Sequence, residues 1–188
     1  MQSRRSRFRF SVRLLLLMMA VCTLLAWWVA HQRSEYFAEQ RMLARMKQHA
    51  PDLCWDQNYY GPGWLARLGY LPAWLHRVDA IDVTGMIYGP NRGWDQSKPF
   101  PHSFDDEAMA SIHPDLREFR RLRSLYLLMT KTTDKSLPLI DDYENLKFLN
   151  IQQTAMSSRA VKRLEQARPG LKVGFWHHID QQGNPIPE

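Results

Sequence analysis

The chain has 188 residues and a formal net charge of +6, a balance that first suggests nucleic-acid binding. The first 30 positions hold five of the 25 basic residues and no Asp or Glu, which leaves 20 basic against 19 acidic residues beyond them. Because that remainder is nearly neutral, we exclude a folded basic surface that follows phosphates and predict no nucleic-acid partner. The two cysteines, Cys22 and Cys54, exclude a disulfide framework.

Residues 14–30, LLLLMMAVCTLLAWWVA, form an uncharged apolar run after a basic tail at residues 1–13. As a helix the run would extend about 25 Å, close to the thickness of a hydrocarbon core. A cleaved signal peptide is the alternative, but cleavage after Ala30 would leave Trp28 where a small residue is needed. We therefore predict one uncleaved transmembrane signal anchor at residues 14–30, through which the protein binds a membrane.

The charges on either side of this run predict its orientation. Five arginines precede it, and three follow closely, where Glu35 and Glu39 dilute them. The preceding residues are Arg4, Arg5, Arg7, Arg9 and Arg13, and the following ones are Arg33, Arg41 and Arg45. Since positive loops stay inside, we expect a cytoplasmic N-terminus and a C-terminal domain outside the cytoplasm.

Two segments connect the apolar run to the domain. Residues 31–50 hold helix formers without Gly or Pro, which predicts a juxtamembrane helix packed on the domain or the membrane surface, with a coiled-coil dimer as the alternative. Residues 51–77 predict a short strand near 52–56 and a dense apolar segment. We interpret the segment as a cap over the open end of a stacked core, with an aromatic ligand cage as the alternative. Its large side chains are Trp64, Leu65, Leu68, Tyr70, Leu71, Trp74 and Leu75.

An internal repeat predicts the fold. LRSLYLLMTKTTDKSL begins at Leu122, and LKFLNIQQTAMSSRAV repeats its pattern from Leu146, 24 residues later. The strand half has apolar residues at L-x-x-L-x-L spacing, Thr130 and Thr154 follow, and the second half begins like a helix. Strand patterns near residues 78 and 171 add further units. We predict an α/β fold, a short leucine-rich-repeat-like solenoid of about three to four units at residues 78–176 with an aromatic N-terminal cap; a doubly wound sheet is disfavoured because no Gly-rich phosphate loop follows a strand.

With its Arg-rich start RRSRFRFSVRLLLL, its linker GPGWLARLG and repeats such as LNIQQTAMSSRAV, the chain resembles short bacterial membrane-anchored leucine-rich-repeat proteins. The resemblance implies one membrane helix followed by a repeat domain, and it implies no known activity. Thr130 and Thr154 depart from the pattern, because the corresponding position in such repeats often holds Asn or Cys.

Two regions are candidate binding surfaces for a protein or peptide partner. An inserted loop at residues 86–103 carries residue types that are common in binding hot spots; packing of these side chains on the cap is an equally weighted alternative. The exposed face of the strands is predicted to show Ala80, Asp82 and Ser124 beside three candidate contacts. The predicted partner-binding residues are Tyr88, Arg92, Trp94 and Phe100 on the loop, and Tyr126, Phe148 and Asn150 on the strands.

No residue pattern predicts catalysis. His177, His178 and Asp180 could suggest a metal site, but adjacent histidines in a strand point to opposite faces, so residues 177–188 are read as a polar tail. Asp106 and its acidic neighbours are read as charges at a helix start. We therefore predict no metal, no cofactor and no enzyme. The predicted function is a membrane-anchored, non-catalytic binding module, with a self-associating structural envelope protein as the alternative and an envelope enzyme as a weaker one.

Overall fold

The computed structural model describes residues 12–84 and 103–174, which form a mixed α/β fold with one long N-terminal helix. The predicted α/β class is thus confirmed. The helices are α1 (Val12–His49), α2 (Gly63–Arg67), α3 (Asp106–Glu118), α4 (Leu137–Asp141) and α5 (Ser158–Ala167), with 3-10 turns at Ala73–Leu75 and Asp134–Ser136. The strands are β1 (Cys54–Tyr59), β2 (His76–Asp82), β3 (Ser124–Tyr126), β4 (Phe148–Asn150) and β5 (Lys172–Gly174).

Helix α1 has two parts with different surroundings. It contains 38 residues, about 57 Å at 1.5 Å per residue, and is long and apolar enough to cross a membrane, a criterion that a signal sequence also meets. Its first apolar part is exposed, whereas Met42, Leu43 and Met46 are buried in the domain core. Residues 31–50 therefore pack on the domain, which the sequence predicted together with packing on the membrane surface. Phe37 remains exposed.

The five strands form one sheet in the order β1-β2-β3-β4-β5. Strand β1 is antiparallel to β2, and the other pairs are parallel. The register places Ile81, Leu125, Leu149 and Val173 side by side, so the equivalence of Leu125 and Leu149 suggested by the 24-residue offset holds in the sheet. Ile81, Leu125 and Leu149 are fully buried, and helices α3 and α5 add apolar side chains to the same core.

The turns after β3 and β4 have the same conformation. Met129 and Gln153, 24 residues apart, both adopt the left-handed backbone region that L-residues seldom occupy, with φ of 58° and 55°. The next residue in each case is a buried threonine whose hydroxyl donates to a carbonyl three residues earlier. Thr130 donates to Leu127 at 2.8 Å and Thr154 to Ile151 at 2.9 Å. The two threonines therefore stabilise equivalent turns directly after strands β3 and β4.

Aspartates at helix starts link each helical segment to the next. Asp106 accepts hydrogen bonds from the Thr133 N–H at 2.8 Å, the Thr133 hydroxyl at 2.6 Å and Ser136 Oγ at 2.5 Å. Asp134 in turn accepts from the N–H and hydroxyl of Ser157, both at 2.7 Å. Although partial burial acts to raise it, the bonds from Ser136 and Thr133 hold the pKa of Asp106 below its ordinary value. Asp106 thus stabilises contacts between segments, beyond the helix-start role expected from sequence.

The segment predicted to cap the core is mostly outside it. Leu75 is buried and Trp74 is half-buried, but Trp64, Leu68 and Tyr70 are exposed, as is Leu71. The expectation that these four side chains cover the core is therefore wrong. Helix α1 and strand β1 pack against β2 instead, because the long helix continues into the domain and contributes its own apolar face.

Candidate membrane junction and binding surface

Arg77, at the start of β2, joins the domain to helix α1. Its side chain is only 1% exposed. One terminal nitrogen, Nη2, donates to the Gln32 carbonyl at 2.9 Å and to Gln32 Oε1 at 2.7 Å, and lies 3.2 Å from Glu35 Oε2. The other, Nη1, donates to the carbonyls of Trp74 at 2.8 Å and His76 at 3.1 Å. A planar guanidinium with several donors can bind all of these acceptors at once.

Glu39 completes the surroundings of this buried cation. Its Oε1 lies 3.6 Å from Arg77 Nε, an ion-pair distance that is too long for a good hydrogen bond. Its Oε2 accepts a hydrogen bond from the N–H of Val78 at 3.3 Å. Burial raises the pKa of Glu39 to about 7 even though Arg77 acts in the opposite direction, and the nearby Glu35 adds to the rise.

Two further contacts hold α1 against the domain. The Trp28 and Trp74 rings meet edge to face with centroids 6.1 Å apart, so the domain begins beside the last turn of the apolar run. At the other end of the contact, Arg45 of α1 pairs with Asp115 of α3 at an exposed position. The junction thus extends from Trp28 to Arg45, along about 25 Å of one continuous helix.

Three of the predicted strand-surface residues form a half-buried patch that includes an aromatic pair. Tyr126 of β3 and Phe148 of β4 have ring centroids 5.5 Å apart, on the strand positions adjacent to the inward-facing leucines. Ser124 lies beside Phe148 in the register and is half-buried as well. We call Ser124, Tyr126 and Phe148 the strand patch. Two aromatic rings in contact give a rigid surface that can bind apolar or aromatic side chains of a partner.

The other predicted strand-surface residues are buried. Ala80 is 5% exposed, Asp82 0% and Asn150 8%, so the expectation that they are exposed is wrong. Asp82 Oδ1 accepts from the N–H of Thr84 at 3.0 Å and from its hydroxyl at 2.7 Å. Asn150 Oδ1 accepts from the N–H of Gln152 at 3.1 Å. Both side chains bond the backbone just after their strands, which gives them a role in the turns.

The remaining candidates lie outside the described residues. This applies to the four loop residues Tyr88, Arg92, Trp94 and Phe100, and to His177, His178 and Asp180 in the polar tail. Within residues 12–84 and 103–174, no group of three His, Cys, Asp or Glu side chains is placed to hold a metal ion.

One polar cluster was not foreseen from the sequence. His113 Nδ1 lies 2.8 Å from the hydroxyl of Tyr143, and His113 Nε2 lies 3.3 Å from Asp142 Oδ2. Asp142 and Tyr143 also line a small polar cleft beside the end of α3. Burial raises the pKa of the Tyr143 hydroxyl well above its ordinary value, so this group stays protonated and is not an activated nucleophile. The cluster instead ties α3 to the turn before β4.

The sequence matches no protein-family model, and it is similar to no curated protein.

Proposed function

We propose that the protein is a membrane-anchored, non-catalytic binding module that presents a leucine-rich-repeat-like domain to a protein or peptide partner. The observation that carries the proposal is the division of helix α1: its apolar first part is exposed, and its later part is built into the domain core. An exposed run of large apolar side chains requires a lipid or protein environment. The absence of a break in the helix supports an anchor that stays attached to its domain.

Three repeated features support the leucine-rich-repeat-like assignment. Strands β3, β4 and β5 pair in register at a constant offset of 24 residues, since Ser124 pairs with Phe148 and Phe148 with Lys172. Met129 and Gln153 repeat the same left-handed turn. Aspartates at successive helix starts bond the next segment. In stacked repeats each unit contacts its neighbours in the same way, so these recurrences favour about three to four units of one kind.

The arginines on either side of the anchor support its proposed orientation. Five precede the apolar run and three follow it closely, a difference that favours a cytoplasmic N-terminus and a domain outside the cytoplasm. The buried Arg77 lies within the junction, where it is bonded to Gln32 and paired with carboxylates, and it does not add to the exposed positive charge there.

The strand patch is the described part of the proposed binding surface. Its area is small, whereas a stable interface needs about 800 Å² on each partner. The inserted loop at residues 86–103, with Tyr88, Arg92, Trp94 and Phe100, would supply further contacts. Aromatic and arginine side chains often contribute most of the binding energy of an interface.

Replacing Tyr126 and Phe148 together by Ala tests the binding surface. The affinity of the full-length double variant for its partner should fall at least about 30-fold, because one lost hot-spot contact costs about 2 kcal/mol. The amount of partner recovered from membranes should fall accordingly. The measurement is quantitative mass spectrometry of proteins cross-linked to the anchored chain. Lys162→Ala with Arg163→Ala, exposed on α5, is the matched control and should recover the partner normally.

Far-ultraviolet circular dichroism of both double variants, which reports the backbone, should match the wild type, so that capture is compared between folded proteins. Equal recovery by the strand-patch variant would contradict a binding role for Tyr126 and Phe148. If the cross-linked product were a second copy of the same chain in all variants, the self-associating envelope protein would replace the binding module as the better explanation.

A further inference from the structure

The connection between β1 and β2 has an apolar surface that the other described residues leave exposed. Trp64 is 62% exposed, Leu68 74%, Tyr70 59% and Leu71 51%. Four large apolar side chains within eight positions are more than the scattered exposure that soluble surfaces show, and such patches mark interaction sites. We call residues 61–72 the hairpin connection.

The fold places the hairpin connection at the end of the domain nearest to the apolar run of α1. The open end of the β1–β2 hairpin, where Cys54 pairs with Asp82, comes directly after the C-terminal end of α1. At the other end, Tyr59 pairs with His76, and the adjacent Arg77 bonds Gln32, which lies closer to the apolar run of α1. The hairpin therefore extends along α1 towards the apolar run, and its connection lies at that end.

A contact between two tryptophans shows where this end of the domain lies along the axis of α1. The Trp74 ring, just after the hairpin connection, meets Trp28 of α1. Trp28 lies two residues before Ala30, the last residue of the uncharged run, which is about 3 Å along the helix axis. If the run spans a bilayer, Trp28 and Trp74 lie at its interface, where tryptophan is enriched.

The composition of the hairpin connection suits the boundary between headgroups and acyl chains. Trp64 and Tyr70 combine apolar rings with a polar group, Leu68 and Leu71 are purely apolar, and Arg67 is exposed beside them. Side chains of these types anchor segments that lie in a membrane interface. The Trp28–Trp74 contact shows that the apolar run of α1 ends beside this same end of the domain, so one bilayer could cover both surfaces.

We propose that the hairpin connection enters the interface of the same bilayer that α1 crosses, as a second membrane contact beside the helix. This proposal rests on the anchor of the proposed function. Two contacts would restrict the tilt of the domain, which one helix alone leaves free. The strand patch would then be presented at a fixed angle to the membrane.

Depth-dependent quenching tests the proposal on the full chain in phosphatidylcholine vesicles. Cys22→Ala and Cys54→Ala remove the native thiols, and Leu68→Cys carries an environment-sensitive fluorophore. Lipids with a nitroxide near the headgroup should quench this label several-fold more strongly than lipids with a deep nitroxide, and its emission should shift to the blue. A label at Lys162→Cys, exposed on α5, is the matched control and should respond to neither lipid.

A label at Leu17→Cys separates failure of the proposal from failure of the anchor. Quenching of this label by the deep nitroxide with no lipid quenching at position 68 would overturn the hairpin contact alone. No quenching at position 17 would overturn the anchor and the hairpin contact together. A blue shift at position 68 without lipid quenching, dependent on protein density, would identify a second copy as the occupant and would also overturn the proposal.

Charged substitutions show whether apolar burial causes the contact. Trp64→Asp with Leu71→Asp should reduce headgroup-level quenching at position 68 to nearly that of the Lys162 control, because charged side chains favour water. The deep quenching at position 17 should stay unchanged in this variant. Persistent quenching at position 68 would mean that the label only follows the nearby helix, and the proposal would be wrong.

Discussion

Arg77→Met is expected to lower the free energy of unfolding by about 3–5 kcal/mol, because it removes the buried cation and leaves the carboxylates of Glu35 and Glu39 without their partner. The same substitution removes the hydrogen bonds that Arg77 donates to the carbonyls of Gln32, Trp74 and His76. The measurement is chemical denaturation of the full chain in detergent micelles, followed by tryptophan fluorescence. Met keeps most of the side-chain volume, so the loss reports the hydrogen bonds and the charge.

The matched control is Arg45→Met, which removes the other arginine that links α1 to the domain. Its side chain is 57% exposed, so its pair with Asp115 is screened by water and should contribute about 1 kcal/mol or less. If both variants lost the same stability, the central role of Arg77 in the junction would be contradicted.

The pH dependence of folding offers a second comparison at the same junction. The folded-state pKa of Glu39, about 7, lies above its ordinary value of 4.5. Its contribution to stability is therefore fully present below pH 4.5 and is lost as the pH rises through 7. Glu39→Gln keeps an oxygen acceptor for the N–H of Val78 but does not ionise, so its stability should decline less over this range. An equal decline would contradict the burial of the Glu39 carboxyl group.

Leu125→Ala and Leu149→Ala should each lower the free energy of unfolding by about 2–5 kcal/mol, because both side chains are fully buried and adjacent in the sheet. The same denaturation experiment measures the loss. A small domain has about 5–15 kcal/mol in total, so either change removes much of it. The two losses should also be coupled, since the residues touch across one strand pair.

Leu128→Ala is the control for this pair, because Leu128 follows β3 in the chain but is only half-buried and lies outside the core cluster. It should cost clearly less than either strand variant. Losses below about 0.5 kcal/mol for both Leu125 and Leu149, the size typical of surface changes, would contradict their placement in the core.

The sheet was the most predictable part of the fold. Leu125 and Leu149 lie at strand positions that recur with a fixed offset, and a period of two residues directs them to the same face. Thr130 and Thr154 recur with the same offset, and their hydroxyls make equivalent hydrogen bonds in the structure. The two-residue alternation and the 24-residue offset can be read directly from one sequence, so these features could be predicted.

The junction between α1 and the domain could not be predicted in the same way. Arg77 bonds Gln32, 45 residues earlier, and no spacing rule connects a helix residue to a later strand over that distance. Within the sequence Arg77 looks like one polar residue among others in an alternating segment. Its burial results from the packing of α1 on β2, which exists only in the folded chain.

Exposure was the least predictable property of the candidate site. Asp82 and Asn150 occupy strand positions that alternation assigns to the outer face, but hydrogen bonds to the following backbone bury them. Trp64 and Leu68 have the composition of core residues and are exposed. Apolar composition identifies a need for burial but does not distinguish a protein core from a lipid interface.

The orientation and retention of the anchor test the account most directly. A reporter fused after Glu188, active on only one side of the membrane, is measured together with the distribution of the chain between membrane and soluble fractions. We predict reporter activity outside the cytoplasm, and we expect the full-length chain to stay in the membrane fraction after extraction at alkaline pH. Cytoplasmic activity, or a shortened domain released into the soluble fraction, would contradict a membrane-anchored binding module.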